Sequence, residues 1–234
     1  MTEIEYWDFD DADEMADAVA GDVAFIIESA LDARGQAILA FPGGSSPFPI
    51  YERLAEKKLN WKKVIIVPTD DRMVALDDPL CNIAKIARIF LPLGARVVPL
   101  NSDAKDYRLA GSAADARLKD LPWPLDLVWL GMGVDGHTAS IFPGPDYEAA
   151  LNADKDTRMI GVMPDPLPPE APVARFTLTR QAIGQARTVL LTIAGDDKKS
   201  VLDAAIKKGD KSDKPIGRVL AALDVPVDIY YLEG

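Results

Sequence analysis

The chain has a single cysteine, Cys81, and a single histidine, His137, among 234 residues. One cysteine cannot form an intrachain disulfide, so a small stapled secretory fold is excluded. Positive charge is scarce: 26 Lys and Arg stand against 37 Asp and Glu, a formal net charge of −11. No run of basic residues reverses that field locally, which argues against nucleic acid or an anionic membrane surface as a partner. A small anion stays compatible, because a few converging cations and backbone N–H groups hold a phosphate against the global field. Long apolar runs are missing too; the best, Val189–Ala194, has the length of a strand. The acidic opening Met1-Thr2-Glu3-Ile4-Glu5 lacks the basic and apolar stretches of a signal peptide, so the cytoplasm is the expected location.

A 48% hydrophobic content over this length supports one large domain. Asp11 followed by Glu14 resembles a capping pair, and Met15, Val19, Val23, Ile26, Ile27 and Ala30 recur at helical spacing until Gly35. An opening amphipathic helix is predicted there. Short apolar runs follow at Ala37–Phe41, Val64–Val67, Val97–Leu100, Leu125–Leu130, Met159–Val162, Val189–Ala194 and Val227–Tyr230, separated by helical segments. Several are apolar on both alternations, as strands buried on both faces are. The predicted class is therefore a three-layer αβα fold around a mostly parallel, Rossmann-like sheet. Five prolines in Pro164–Pro172 predict an extended loop, a natural boundary for a small C-terminal lobe.

In such a sheet, functional loops follow the C-terminal ends of strands. Phe41-Pro42-Gly43-Gly44-Ser45-Ser46-Pro47 is one: two glycines let the backbone approach a ligand, and hydroxyls with free N–H groups suit an anion. Pro47 suits the first position of a helix. On spacing alone an ordinary strand-to-helix turn fits equally. Pro68-Thr69-Asp70-Asp71-Arg72 is the second, with Arg72 able to clamp an oxyanion and Asp70 able to orient a hydroxyl or water. A solvated charged loop is the competing reading. Asp70, Asp71, Asp77 and Asp78 make only a weak metal site, without a His or Cys companion for zinc. The third loop, Leu130 to Ser140, sets His137 among glycines after a very apolar strand, with Asp135 placed to fix the imidazole tautomer. Ser140 lacks the elbow and base that a nucleophile needs. Lys198 opens a helix after Val189–Ala194, where the helix dipole disfavours a cation unless an anion is bound beside it. A plain surface lysine fits as well.

Gly43-Gly44-Ser45-Ser46-Pro47, Thr69-Asp70-Asp71-Arg72, the stretch Gly131-Met132-Gly133-Val134-Asp135-Gly136-His137-Thr138-Ala139-Ser140-Ile141-Phe142-Pro143-Gly144, Arg175-Phe176-Thr177-Leu178-Thr179 and Gly195-x-x-Lys198 resemble the 6-phosphogluconolactonases in order and spacing. The resemblance covers most of the chain and implies the fold shared with glucosamine-6-phosphate deaminases and ribose-5-phosphate isomerases. It implies hydrolysis of 6-phospho-D-glucono-1,5-lactone in the oxidative pentose phosphate pathway, without metal or organic cofactor. It casts Gly43, Gly44, Ser45, Ser46, Arg175 and Lys198 as the phosphate grip, Arg72 and Asp70 as lactone-positioning residues, and His137 as the acid/base. The family's usual Asp-Glu-Arg is Asp-Asp-Arg here, its aromatic after the Arg is Met73, and its Ser-Asn is Cys81-Asn82. The resemblance leaves both monomer and homodimer open.

Two other readings stay open at this point. A phosphosugar isomerase-deaminase shares the loop and the Asp-Gly-His, but that family continues His-Ile-Ala-Phe-Asn-Glu, whereas this chain reads His137-Thr-Ala-Ser-Ile-Phe142. A non-catalytic phosphosugar sensor would need a DNA-binding or partner segment, which is not expected before residue 36 or after residue 224, and would not need His137.

Overall fold

A computed structural model describes residues 2–102 and 104–234. The opening helix is α1 (Ala12–Arg34). Its first orphan N–H groups, those of Asp13 and Glu14, donate to the Asp11 carboxylate, and Gly35 closes it at φ 72° with its N–H on Leu31 O. Helix α1 buries Val19, Val23 and Ile27, so the apolar stripe and both caps act as the spacing predicts.

Ten strands are described: β1 (Ile4–Phe9), β2 (Ala37–Phe41), β3 (Val64–Pro68), β4 (Asp70–Arg72), β5 (Arg96–Val97), β6 (Leu127–Gly131), β7 (Met159–Val162), β8 (Arg175–Leu178), β9 (Val189–Ala194) and β10 (Val227–Leu232). Seven form one fully parallel sheet in the order β1-β10-β9-β6-β2-β3-β5. The remaining helices are α2 (Phe48–Ala55), α3 (Asn82–Phe90), α4 (Tyr107–Lys119), α5 (Tyr147–Leu151), α6 (Arg180–Gly184), α7 (Asp196–Lys208) and α8 (Pro215–Leu220). Alternate residues of each central strand feed two cores. Ala37, Leu39 and Phe41 pack under α1–α3, while Ile38 and Ala40 pack under α4–α8. The three-layer αβα expectation holds, and each fully buried aliphatic side chain contributes roughly 1.5–3 kcal/mol by leaving water.

The small C-terminal lobe does not form. Beyond the proline-rich loop, β9 enters the centre of the main sheet and β10 pairs beside it. The separate structure is a three-stranded antiparallel sheet, β4-β8-β7, drawn from distant parts of the chain. Met159–Val162 belongs to this sheet, its Met159 packing into the α4–α8 core. Of Val97–Leu100 only Val97 is in a strand. Strand β1 escapes a hydrophobic reading because it lies at the sheet edge, where Glu5 and Asp8 guard unpaired backbone groups. Pro47 sits just ahead of α2, and Pro49 occupies its first turn.

From β2 the chain winds outward through β3 to β5, then returns to the other side of β2 as β6 and winds through β9 to β10. That reversal leaves a crevice beyond the carboxyl ends of β2 and β6.

Candidate active site

The crevice is a cleft of about 210 Å³ that gathers the loops after β2, β3, β6 and β9. On the β2 side, Tyr51 donates its hydroxyl to Pro42 O at 2.7 Å. Its ring is wedged among Phe41, Phe90 and Trp129, with centroids 5.2, 5.7 and 5.2 Å away. Such pairs contribute about 0.5–1.5 kcal/mol each beyond area burial. The loop is thus anchored to the core at its first residue, and burial, reinforced by Asp70, pushes the Tyr51 phenol well up. A side chain at Gly43 would displace Asn82, because a Cβ there would lie 2.0 Å from the Asn82 amide. Gly43, Gly44 and Ser46 line the cleft. Ser45 does not, its side chain pointing to solvent at the exposed crest of the turn.

Strand β4 carries Asp70, Asp71 and Arg72 into three different jobs. Asp71 is buried, and its carboxylate accepts the N–H groups of Asn82 at 2.6 Å, Ile83 at 3.0 Å and Arg72 at 2.8 Å. It caps α3 from a distance, since Cys81 at the N-cap makes no side-chain cap bond. Burial holds its carboxyl above the usual range against those three hydrogen bonds. Asp70, only 7% exposed, accepts the Ser140 hydroxyl at 2.6 Å. Arg72 donates through Nη1 to Asn82 Oδ1 at 2.6 Å and Leu80 O at 3.1 Å. Among the described residues, no group of three or more His, Cys, Asp or Glu side chains is placed to hold a metal ion.

Strand β8 runs antiparallel to β4 in a register that sets Arg175 directly opposite Arg72. Like charges facing across two strands repel, and both arginines face the cleft. Arg175 is 3% exposed; one Nη2 donates to Ala171 O at 3.2 Å, and Glu170 approaches no closer than 3.8 Å. Buried Nε atoms of both arginines have no partner among the described residues. Burial lowers the Arg175 pKa from its ordinary value, Asp70 opposes the shift, and Arg72 adds to it. A bound oxyanion would satisfy the donors and relieve the repulsion together.

After β6 the backbone folds on itself: Gly136 N–H donates to Gly133 O at 3.0 Å, and Gly133 N–H donates to His137 O at 3.0 Å. Gly136 sits at φ 85°, a conformation natural to glycine. Ala139, on the cleft wall, holds φ 48°, an uncommon angle for a residue with a Cβ. Within this loop His137 Nδ1 lies 2.5 Å from Asp135 Oδ1, which also accepts the His137 N–H at 3.1 Å. The carboxylate only accepts, so it selects the tautomer with Nδ1 protonated and leaves Nε2 as a base. Partial burial works against the Asp135 charge, but the hydrogen bond and charge of His137 prevail and keep its carboxyl below the usual range. Across the cleft, Lys198 stands in the first turn of α7, where burial lowers its ammonium pKa.

A family model described as glucosamine-6-phosphate isomerases/6-phosphogluconolactonase matches residues 10–225. The chain belongs to this glucosamine-6-phosphate isomerase/6-phosphogluconolactonase family. It is 39% identical to the 6-phosphogluconolactonase of Mesorhizobium japonicum, over 95% of this chain and 93% of that protein. Identity to the 6-phosphogluconolactonase of Pseudomonas putida is 37%, over 94% and 90%. The crystal structure of a 6-phosphogluconolactonase from Shewanella baltica superposes with a TM-score of 0.88 at 30% identity, covering 100% of this chain and 98% of that one. A monomeric glucosamine-6-phosphate deaminase shares the fold at a TM-score of 0.79 and 18% identity.

Of the residues singled out in the sequence, the family fold brings Gly43, Gly44, Ser46, Asp70, Arg72, His137, Arg175 and Lys198 to one cleft. Asp135 reaches it through His137, and Ser45 stands outside. Sequence reasoning missed Tyr51, Asn82 and Ser140 as supports. Ser140 was legible only as an unfit nucleophile; its use as a donor to Asp70, 70 positions away, exists only in the folded chain.

Proposed function

We propose that this chain is a hydrolase that opens 6-phospho-D-glucono-1,5-lactone to 6-phosphogluconate, a step of the pentose phosphate pathway, with His137 as its acid/base. The carrying observation is the register that opposes half-buried Arg72 and buried Arg175, both facing one cleft, with Nε donors that have no partner among the described residues. A substrate with a phosphate at one end and a carbonyl that becomes an oxyanion at the other fits that surplus of donors. The Gly43–Ser46 loop, Arg175 and Lys198 hold the phosphate, and Asp70, oriented by the Ser140 hydroxyl, positions the sugar. Ser45 contributes at most its backbone.

His137 Nε2 removes a proton from the water that attacks C1. The carbonyl π electrons move to oxygen, and Arg72 together with loop N–H groups receives that charge. Collapse of the tetrahedral intermediate breaks the C1–O5 bond, and the imidazolium returns the proton to O5. Acid/base assistance of this kind contributes typically about 10²–10⁴-fold. Asp135 stabilises the imidazolium between the two transfers. The second proton of the water stays on the new C1 carboxyl and leaves to solvent as the product ionises to 6-phosphogluconate, so the proposed cycle draws on no cofactor. Residues 1–234 act as one catalytic domain, and a cytoplasmic location suits the reaction; among the described residues no helix is long and apolar enough to cross a membrane.

An isomerase-deaminase activity is disfavoured by Phe142, whose apolar ring packs on His137 where that reaction's pattern carries Glu. The test is hydrolysis of freshly generated lactone, followed by NMR against the spontaneous background. Wild type accelerates opening and His137→Ala returns it to background; a folded wild type without acceleration overturns the reading.

A further inference from the structure

His137 has one polar restraint on its ring, the hydrogen bond to Asp135, and Asp135 is itself half exposed on the same loop. A single hydrogen bond from two residues away fixes one ring nitrogen and not the plane of the imidazole, yet proton transfer needs a fixed direction for Nε2. The second restraint is aromatic. The Phe142 ring lies 4.0 Å from the imidazole centroid at an interplanar angle of 24°. The same ring carries the Arg175 guanidinium, with Cζ 5.2 Å from its centroid. Phe142 is not part of the cleft wall, and it borders a separate small cavity with Tyr147 and Val162.

We propose that Phe142 is a positioning residue that sets the plane of His137 and ties it to Arg175, so that the proton-transferring group and the anion-binding cation share one rigid platform. The contact is also chemically matched to the reaction. A π face attracts guanidinium, and it attracts the imidazolium that forms during turnover more than the neutral imidazole it replaces. Loss of the ring therefore affects two functions at once: the direction of proton transfer, read in kcat, and the set of Arg175, read in anion affinity. The kinetic half of the inference rests on the lactonase reading; the placement of the ring does not.

His137 is the only histidine in the chain, so its ring protons give one unambiguous pair of NMR signals without substrate. In wild type they are expected upfield of their free-imidazole positions, displaced by the Phe142 ring current. Phe142→Leu keeps an apolar side chain and loses the displacement. Inorganic phosphate then binds more weakly by calorimetry, and kcat for the lactone falls by up to about 100-fold. Phe142→Tyr, which keeps the ring, restores all three. Undisplaced His137 signals in wild type overturn the proposal, as does a folded Phe142→Leu enzyme with wild-type phosphate affinity and kcat. If wild type does not open the lactone at all, the lactonase reading falls, and the His137 signals still decide where Phe142 sits.

Discussion

Gly133→Ala is expected to separate activity from stability. An alanine Cβ at this position would lie 2.2 Å from His137 Cε1, 2.3 Å from its Nδ1 and 2.7 Å from Asp135 Oδ1. Ordinary contact begins at 3.4 Å, so the imidazole must retreat by about 1.2 Å. What yields is the end of a side chain on a surface loop, not backbone or core, and no positive φ is required at Gly133. Stability should therefore change by less than about 1 kcal/mol, a shift of roughly 2–4 °C or less in Tm for a chain of this size. A displacement of about 1 Å at a group that transfers a proton costs on the order of 100-fold in rate. Thermal melts and initial rates on fresh lactone, corrected for spontaneous opening, measure the two quantities side by side. Wild-type kcat in Gly133→Ala would refute the placement of His137 as the acid/base. A Tm collapse in step with the activity would show that the glycine serves folding.

Two further substitutions probe the charges. Asp135→Asn removes a charge-assisted hydrogen bond; such bonds are worth about 1.5–3 kcal/mol, and half exposure of Asp135 places it at the low end, so kcat should fall about 10-fold. Steady-state rates check this, with unchanged KM separating loss of His137 support from loss of binding. Lys198→Met should raise KM for the phosphorylated lactone with little effect on kcat. Because lysine is cationic only below its pKa and burial lowers that of Lys198, wild-type affinity for inorganic phosphate should decline as pH rises through the lowered value, sooner than an exposed lysine would titrate. Calorimetric titrations from neutral to alkaline pH test the sign, and Lys198→Met should flatten that decline.

The elements that matched expectation are those whose information is local. Helix α1 is written in a stripe of apolar residues between Asp11 and Gly35, and β2, β6 and β9 in runs too apolar to face water. His137 stood out because a lone titrating side chain among glycines follows such a run. Strands β4 and β8 were invisible for the opposite reason. Asp70-Asp71-Arg72 reads as a solvated loop until an antiparallel partner, more than 100 positions away, supplies the ladder that carries it indoors.

By itself, then, the sequence determined the layered α/β class, the strand-end loops that converge on the cleft, and the residue types available there, because periodicity and backbone preference act over a few residues. Only the tertiary structure decided which side chains meet. It set Arg175 opposite Arg72, hung Asp70 from Ser140, used Asp71 to cap α3, and laid Phe142 against His137. Each of those pairings depends on strand register and loop path, which are set by the burial of the whole core and leave no mark on any short stretch of sequence.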